Sequence, residues 1–317
     1  MSGHLSRATW VRAAVSAAIL AYLVLTIDVG AAIGAVTRLS GWYLAGALGL
    51  VLIDRLLMIS RWTLLLKGTG TAIRFKSAAW IFLVSSFVGS FMPAGIGGDA
   101  ARAWTLARRT ADGGGAVASV AVDRLLGVIA VVLLGAAGAA AWMRLDASAS
   151  GAWAMVLGAL IAVGALAMLW IDRIFERIVP PAWRTGWIRS AGLLAQAVGV
   201  YRRAPRTLLS VLALSVVVQV VRVLQAAVLA AGLELSVPLG YFFVFMPIGL
   251  LLLQVPISVG GFGAPQGVIV WLLERRGVPE AASFALSTLI ILLGIAGTLP
   301  GAWLFFRSRR SPSTQRD

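Results

Sequence analysis

Apolar residues run with few interruptions through six stretches of the chain, at 11–29, 41–60, 116–142, 152–170, 208–232 and 280–306. Crossing the roughly 30 Å hydrocarbon core of a bilayer takes about 20 helical residues, so each stretch reads as a full span. The stretch 11–29 is also too long for the apolar core of a cleaved signal peptide and is read as a retained span. Residues 31–39 form a short, mildly amphipathic piece expected at the surface.

Two further apolar segments are interrupted. Residues 77–92 run into Pro93-Ala94-Gly95-Ile96-Gly97-Gly98-Asp99 and then a basic helix at 100–109. Residues 241–255 run into Pro256-Ile257-Ser258-Val259-Gly260-Gly261-Phe262-Gly263 and then an apolar helix at 265–273. Such breaks free backbone groups that lipid cannot satisfy, so at membrane depth they belong inside protein or against a water-filled cavity. Each segment is read as a re-entrant helical hairpin. The expected fold class is an all-α integral membrane bundle of six full spans plus two re-entrant hairpins. It forms a single domain over 1–306, with a disordered tail at 307–317. The order span, span, hairpin, span occurs over 11–142 and again over 152–306. Three crossings per half make this an inverted repeat, the pattern that points to a transporter with its site between the two breaks.

Composition narrows the function. Of 317 residues, 60% are hydrophobic and 12% charged, with a mean hydropathy of +0.94. Soluble domains carry about 25% charged residues, so a soluble enzyme and a disordered chain are both excluded. There is no cysteine, and the one histidine is His4. Disulfides, thiolate or histidine metal sites, cysteine nucleophiles and histidine triads are thereby excluded, and no metal or cofactor is expected. The net charge of +15 would suggest nucleic acid in a soluble chain. Here the basic residues flank apolar runs and read as topology signals and contacts for anionic headgroups. With the N-terminus in the cytoplasm, Arg38, Arg144, Arg275 and Arg276 fall outside and Arg222 within a span, leaving the other 22 of 27 Lys and Arg inside. That asymmetry fits the positive-inside rule and puts the C-terminus inside too. The connection at 172–206 carries seven arginines with Trp183 and Trp187, as a helix lying on anionic lipid does.

Several polar residues stand where a ligand would be met. Asp99 reads as a helix N-cap after Gly97 and Gly98, and a glycine-rich helix start can also hold a phosphate. Arg102, one turn on, either binds a headgroup phosphate or pairs with Asp99. The second break has Phe262 where the first has Asp99; its Gly260 and Gly261 leave backbone donors, and Gln254 and Gln266 flank it. Pro265 suits the first position of the following helix. Asp123-Arg124 and Asp54-Arg55 are adjacent pairs. Neighbours on a helix diverge by about 100°, so pairing across helices is expected instead, for example Asp123 with Arg102. Arg61, beside Trp62, reads as either a ligand residue or a basic-aromatic anchor at the headgroups. Arg222 lies mid-span on one helical side with Gln219 and Gln225, facing substrate or a partner carboxylate.

The block from Ser86 to Arg102, SFVGSFMPAGIGGDAAR, resembles the signature of the lysylphosphatidylglycerol synthase transmembrane-region family, also called flippase-like. Arg61-Trp62, Asp123-Arg124-Leu125-Leu126-Gly127 and the second glycine block are similar to its other recurring blocks. The resemblance covers nearly the whole chain and implies movement of lipids across the bacterial inner membrane. Relatives belong to phospholipid, polyprenyl-linked glycan and hopanoid pathways. One departure is Pro265-Gln266, where the family usually has an Arg-Glu pair. In aminoacylating members a soluble catalytic domain follows the membrane part, and here only residues 307–317 follow, so that transferase activity is not expected. The leading expectation is a lipid translocator without enzymatic activity. The alternatives are an integral-membrane transferase acting on a lipid-linked substrate, with Asp99 or Asp123 as base, and an accessory subunit for lipid-modifying enzymes. Partners are membrane lipids with anionic headgroups, and no nucleic acid is expected.

Overall fold

The computed structural model describes residues 39–68, 70–71, 73–90, 96–110, 112–145, 198–253 and 263–310, with single residues at 34, 37, 173, 176, 177, 192, 195 and 196. Among them every regular element is helical: α1 (Gly41–Gly68), α2 (Phe75–Gly89), α3 (Ile96–Thr110), α4 (Gly113–Leu145), α5 (Pro205–Gly232), α6 (Leu239–Leu252), α7 (Ala264–Glu274), α8 (Glu280–Ala296) and α9 (Leu299–Arg310). The helices α1, α4 and α5, and α8 together with α9, are long and apolar enough to cross a membrane, while α2 and α6 are apolar but shorter. The protein is thus a multi-pass membrane protein. The spans expected at 11–29 and 152–170 lie outside the described residues, as does the surface helix expected around Trp183 and Trp187. Of the tail expected to be disordered over 307–317, residues 307–310 instead complete the helix α9, and 311–317 lie outside the described residues.

Three boundaries differ from the sequence reading. First, the last span, expected as one helix over 280–306, is two. Pro300 has no N–H to give the carbonyl of Ala296, so the ladder stops there and α9 starts anew. Second, α3 begins at Ile96 rather than after Asp99, so Gly97, Gly98 and Asp99 lie in its first turn. Asp99 is therefore not the N-cap; its carboxylate goes to arginine side chains instead. Third, α7 begins at Ala264, which puts Pro265 second in the helix, behind Gly263 at φ +95°. A side chain there would be strained, so the turn into α7 needs glycine.

The longest packing seam joins α1 to α5, antiparallel. Gly68 lies against Thr207, Arg61 against Ser215, Asp54 against Arg222, Gly46 against Val228 and Gly232 against Tyr43. On either side, α2 packs against α3 and α9, and α6 against α7 and α4. Glycines allow the closest crossings. A side chain at Gly301 of α9 would run into the carbonyl of Leu83 on α2, and one at Gly138 of α4 into the carbonyl of Phe243 on α6. The second crossing has a local cause. Pro247 inside α6 has no N–H for the Phe243 carbonyl, and α4 closes on this bend with Gly138 against Phe243 and Gly135 against Pro247.

Buried side chains fall into clusters around Phe242, Phe245, Leu229, Leu273 and Leu286; around Leu65, Val122, Leu126 and Val211; and around Trp62, Leu66, Ile81 and Leu106. Outward, α1 exposes Leu48, Leu52 and Leu56 at one-turn spacing, an apolar stripe suited to lipid. Gly138→Ala and Gly301→Ala should each cost about 1–3 kcal/mol through overpacking. Gly49, where an added side-chain carbon would meet nothing within 4 Å, is the control whose change to Ala costs nothing. Reversible unfolding in mixed detergent micelles measures all three.

Candidate functional site: an arginine-lined cavity

The seam between α1 and α5 carries charge at two levels. Asp54 and Arg61 are seven residues apart on α1, and Ser215 and Arg222 are seven apart on α5. Seven residues are close to two helical turns, so both polar pairs fall on the same facing stripe. Arg222 Nε donates to Asp54 at 2.8 Å, and Arg61 donates to the Ser215 hydroxyl at 3.1 Å. This is the partner carboxylate that a mid-span arginine requires. Arg55 turns to the other side. Its Nε lies 3.8 Å from Asp54, and its terminal nitrogen donates to the carbonyl of Gly294 on α8 at 3.4 Å. Contrary to the expectation from helix geometry, Asp54 and Arg55 do approach each other, though at 3.8 Å this is a looser contact than the 2.8 Å pair of Asp54 with Arg222. Gly297 leaves the space its guanidinium uses.

Arg61 also starts a chain of ion pairs that runs into α3 and α4. It donates to Asp123 Oδ1 at 2.9 Å, and Arg102 donates to Asp123 Oδ2 at 3.1 Å. The expected pairing of Asp123 with Arg102 is therefore present, with Arg61 as a second partner. Arg102 reaches on to Asp99 at 3.4 Å, and Asp99 accepts from Arg124. Asp123 is 1% exposed and Arg61 and Arg102 are 3% and 4%, so only a small part of each meets solvent. Arg102 is held between the rings of Trp62 and Phe82, at 5.1 and 5.4 Å from their centroids. Arg61-Trp62 is thus no interfacial anchor. Both side chains are buried, and Trp62 forms the floor beneath Arg102.

These groups border a cavity of about 420 Å³. Arg55, Arg61, Arg102, Arg124 and Arg222 line it together with Asp99, Asp123 and Gln219. Ser85 and Ser86 of α2 and Ser90 at its C-cap border it too, their hydroxyls bonded back to helix carbonyls. The lining also holds apolar side chains: Met58 of α1, Phe82 of α2, Leu253 just past α6, and Ile290, Ile291 and Ile295 of α8. The volume lies in the range of small-molecule sites. With guanidinium groups and hydrocarbon both in the lining, the cavity suits an amphiphile that carries negative charge.

Of the candidate residues, Arg61, Gly98, Asp99, Arg102, Asp123, Arg124 and Arg222 border this cavity. Gly97 is next to it in the first turn of α3. Gly98 has a packing role as well: a side chain there would come within 2.7 Å of the Ser85 carbonyl and 3.0 Å of Gly89 Cα, so its absence lets α3 cross α2. Gln266 is elsewhere. It is fully buried, donates to Thr288 at 2.8 Å, and borders a separate, apolar void of about 30 Å³. Gln254, Gly260 and Gly261 lie outside the described residues. Sequence reasoning put Gln219 beside Arg222 by their spacing of three but did not carry it into the site, and it left out Arg55, Ser85, Ser86 and Ser90. The shared spacing of seven in α1 and α5 was the signal that could have paired Asp54 with Arg222.

Fold and cavity together define a polytopic helical membrane protein with a cation-lined chamber between its helices. The chain belongs to the family described as the lysylphosphatidylglycerol synthase TM region, which matches residues 9–301. That places it among lipid-related membrane proteins. Among curated proteins, none matches the chain.

Removing one partner from a buried ion network strands the other, at about 3–5 kcal/mol. Asp123→Ala should lose stability on that scale in detergent unfolding. Asp54→Leu combined with Arg222→Met should be more stable than either single change; additive losses would mean that the two residues are not coupled in the folded protein.

Proposed function

We propose that the protein translocates a lipid with an anionic headgroup between the leaflets of a bacterial cytoplasmic membrane. The observation that carries this reading is the cavity, whose lining combines five arginines with apolar side chains. A headgroup binds the arginines while its acyl chains remain against the isoleucines and the bilayer. Phospholipid and polyprenyl- or hopanoid-type lipids all meet that description. Asp99 and Asp123 are both committed to arginines, which leaves the transferase alternative without a lone carboxylate among the described cavity residues.

An inverted repeat supports the reading. Adding 163 to Pro93 gives Pro256, and adding it to Gly138 gives Gly301. Adding 164 to the bounds of α1 gives those of α5. The partner helices correspond too: Gly138 of the first half meets α6 at the carbonyl of Phe243, and Gly301 of the second half meets α2 at the carbonyl of Leu83, about one turn from the equivalent position. Such reciprocal contacts are what a two-fold axis in the membrane plane generates, and two related halves can rock about a site between them. Lengths support the hairpins. The 15 residues of α2 and the 14 of α6 reach about 22 and 21 Å at 1.5 Å per residue, short of the hydrocarbon thickness. In this reading α2–α3 opens to the cytoplasm and α6–α7 to the outside, with both termini cytoplasmic.

Purified protein in liposomes should move fluorescent anionic lipids between leaflets, and Arg102→Gln should slow this by about tenfold, the equivalent of one lost charge-assisted hydrogen bond. Rates no higher than in empty vesicles, across several lipid classes, would defeat the proposal. Topology is testable separately because the chain has no cysteine. Thr71→Cys and Asp112→Cys should react with an impermeant maleimide from the cytoplasmic side only, Ser236→Cys and Gly277→Cys from the outer side only. Ala94→Cys should be closed to the outer side, whereas a full-crossing hairpin would expose it there.

A further inference from the structure

The neutral polar side chains of the cavity differ in what their hydrogen bonds are spent on. Ser85, Ser86, Ser90 and Thr298 border it, and each hydroxyl donates to a carbonyl three or four residues back. Gln219 of α5 borders it as well, but among the described residues nothing donates to its Oε1, which is buried. The residue is only 3% exposed, and an acceptor left unpaired at such depth is costly until a donor reaches it. The position of Gln219 adds to this. It stands one turn from Ser215 and one turn from Arg222. Ser215 accepts from Arg61, and Arg222 donates to Asp54. An anion that reaches Arg61 and Arg222 therefore carries its substituent past the amide between them. The repeat points to the same place. Adding 164 to Arg55 gives Gln219, by the offset that carries α1 onto α5, and both residues border the cavity. One half thus presents a cation at this position and the other half an uncharged amide.

We propose that Gln219 is a specificity-determining residue that binds a free hydroxyl of the headgroup, so that the ligand is an anionic lipid with a polyol or sugar on its phosphate, in preference to an alkyl phosphate without one. This rests on the translocator reading and adds to it the neutral part of the ligand. A phosphate is acceptor-only toward the guanidinium groups and has nothing to give Oε1. A hydroxyl donates and accepts, so it satisfies the carboxamide whichever of its two ends is turned toward the ligand. An ammonium group could also donate to Oε1, but Arg55, Arg61, Arg102 and Arg222 border the same cavity and repel a further cation. The carboxylates of Asp54, Asp99 and Asp123 already accept from arginines. The amide is therefore the group in this lining suited to a donor without charge.

The test is competition binding to the full-length protein in detergent micelles, with a fluorescent phosphatidylglycerol as probe. Phosphatidylglycerol and phosphatidylpropanol of equal chain length carry the same charge on the same three-carbon ester and differ in the hydroxyls alone. Phosphatidylglycerol should bind about tenfold more tightly, the equivalent of one buried hydrogen bond made rather than missed. Gln219→Met, which keeps the length of the side chain and removes the amide, should bring the ratio to about twofold or less, chiefly by weakening phosphatidylglycerol. Gln219→Glu keeps an acceptor for the hydroxyl and adds negative charge, so it should weaken both lipids and preserve the ratio. A merely structural role would instead have Gln219→Met weaken both lipids alike. That result overturns the proposal. So does equal affinity of the wild-type protein for the two lipids, whether or not the variants fold. Tighter binding of phosphatidylethanolamine than of phosphatidylglycerol would assign the amide to an ammonium group and overturn it too. Glycerol phosphate should displace the probe far less well than the lipid; equal displacement would mean that a soluble ester, not a lipid, is the ligand. Failure of every lipid to bind counts instead against the translocator reading itself.

Discussion

The site depends on one constraint: a charge taken out of water must meet an opposite charge or a hydrogen-bond partner. Asp123 shows it most directly. It is nearly inaccessible, and Arg61 and Arg102 approach its two oxygens from different helices. Three elements are tied together at that carboxylate, since Arg61 comes from α1, Arg102 from α3 and Asp123 from α4. The same pairing holds Asp54 to Arg222 and so ties α1 to α5. A buried pair of this kind contributes little net stability against an apolar replacement, but a broken one is strongly destabilising. The network therefore fixes how the helices are registered more than how tightly they hold.

Around that network the remaining packing follows from small residues. Gly98 lets α3 cross α2 near Ser85, Gly138 lets α4 close on the bend at Pro247, and Gly301 lets α9 meet α2. Lipid-embedded helices have no hydrophobic drive toward one another, so close backbone approach and its dispersion contacts have to supply the association. The chamber between these helices takes its charged side chains from α1, α3, α4 and α5 and most of its isoleucines from α8.

The internal arginines also bear on orientation. Arg55, Arg61, Arg102 and Arg124 count toward the inner face when charge is tallied along the chain, yet they line a cavity inside the bundle. Charges at helix ends behave differently. Arg108 stacks on the exposed Trp104 and Arg307 on the exposed Trp303, the snorkelling arrangement of a headgroup zone. On the face assigned to the outside, Arg275 covers Trp271 and Arg276 covers Trp142 and Tyr241. These end residues carry topological information; the four that line the cavity carry the site.

The sequence by itself determined the membrane class, the helical stretches, the two interrupted segments and the residues expensive enough to need a reason. Each of those is a local property: a run of apolar side chains, a proline without an N–H, an arginine amid leucines. The pairing of Asp123 with Arg102 was legible because only a few carboxylates stood near enough in the chain to serve. Only the tertiary structure decided that Arg61 joins them, that Asp54 belongs to Arg222, that Asp99 is spent on arginines rather than on capping α3, and that Gln266 turns to Thr288 away from the cavity. Those outcomes depend on which helix faces lie opposite each other, and an apolar helix that can face lipid on any side does not encode its own rotation.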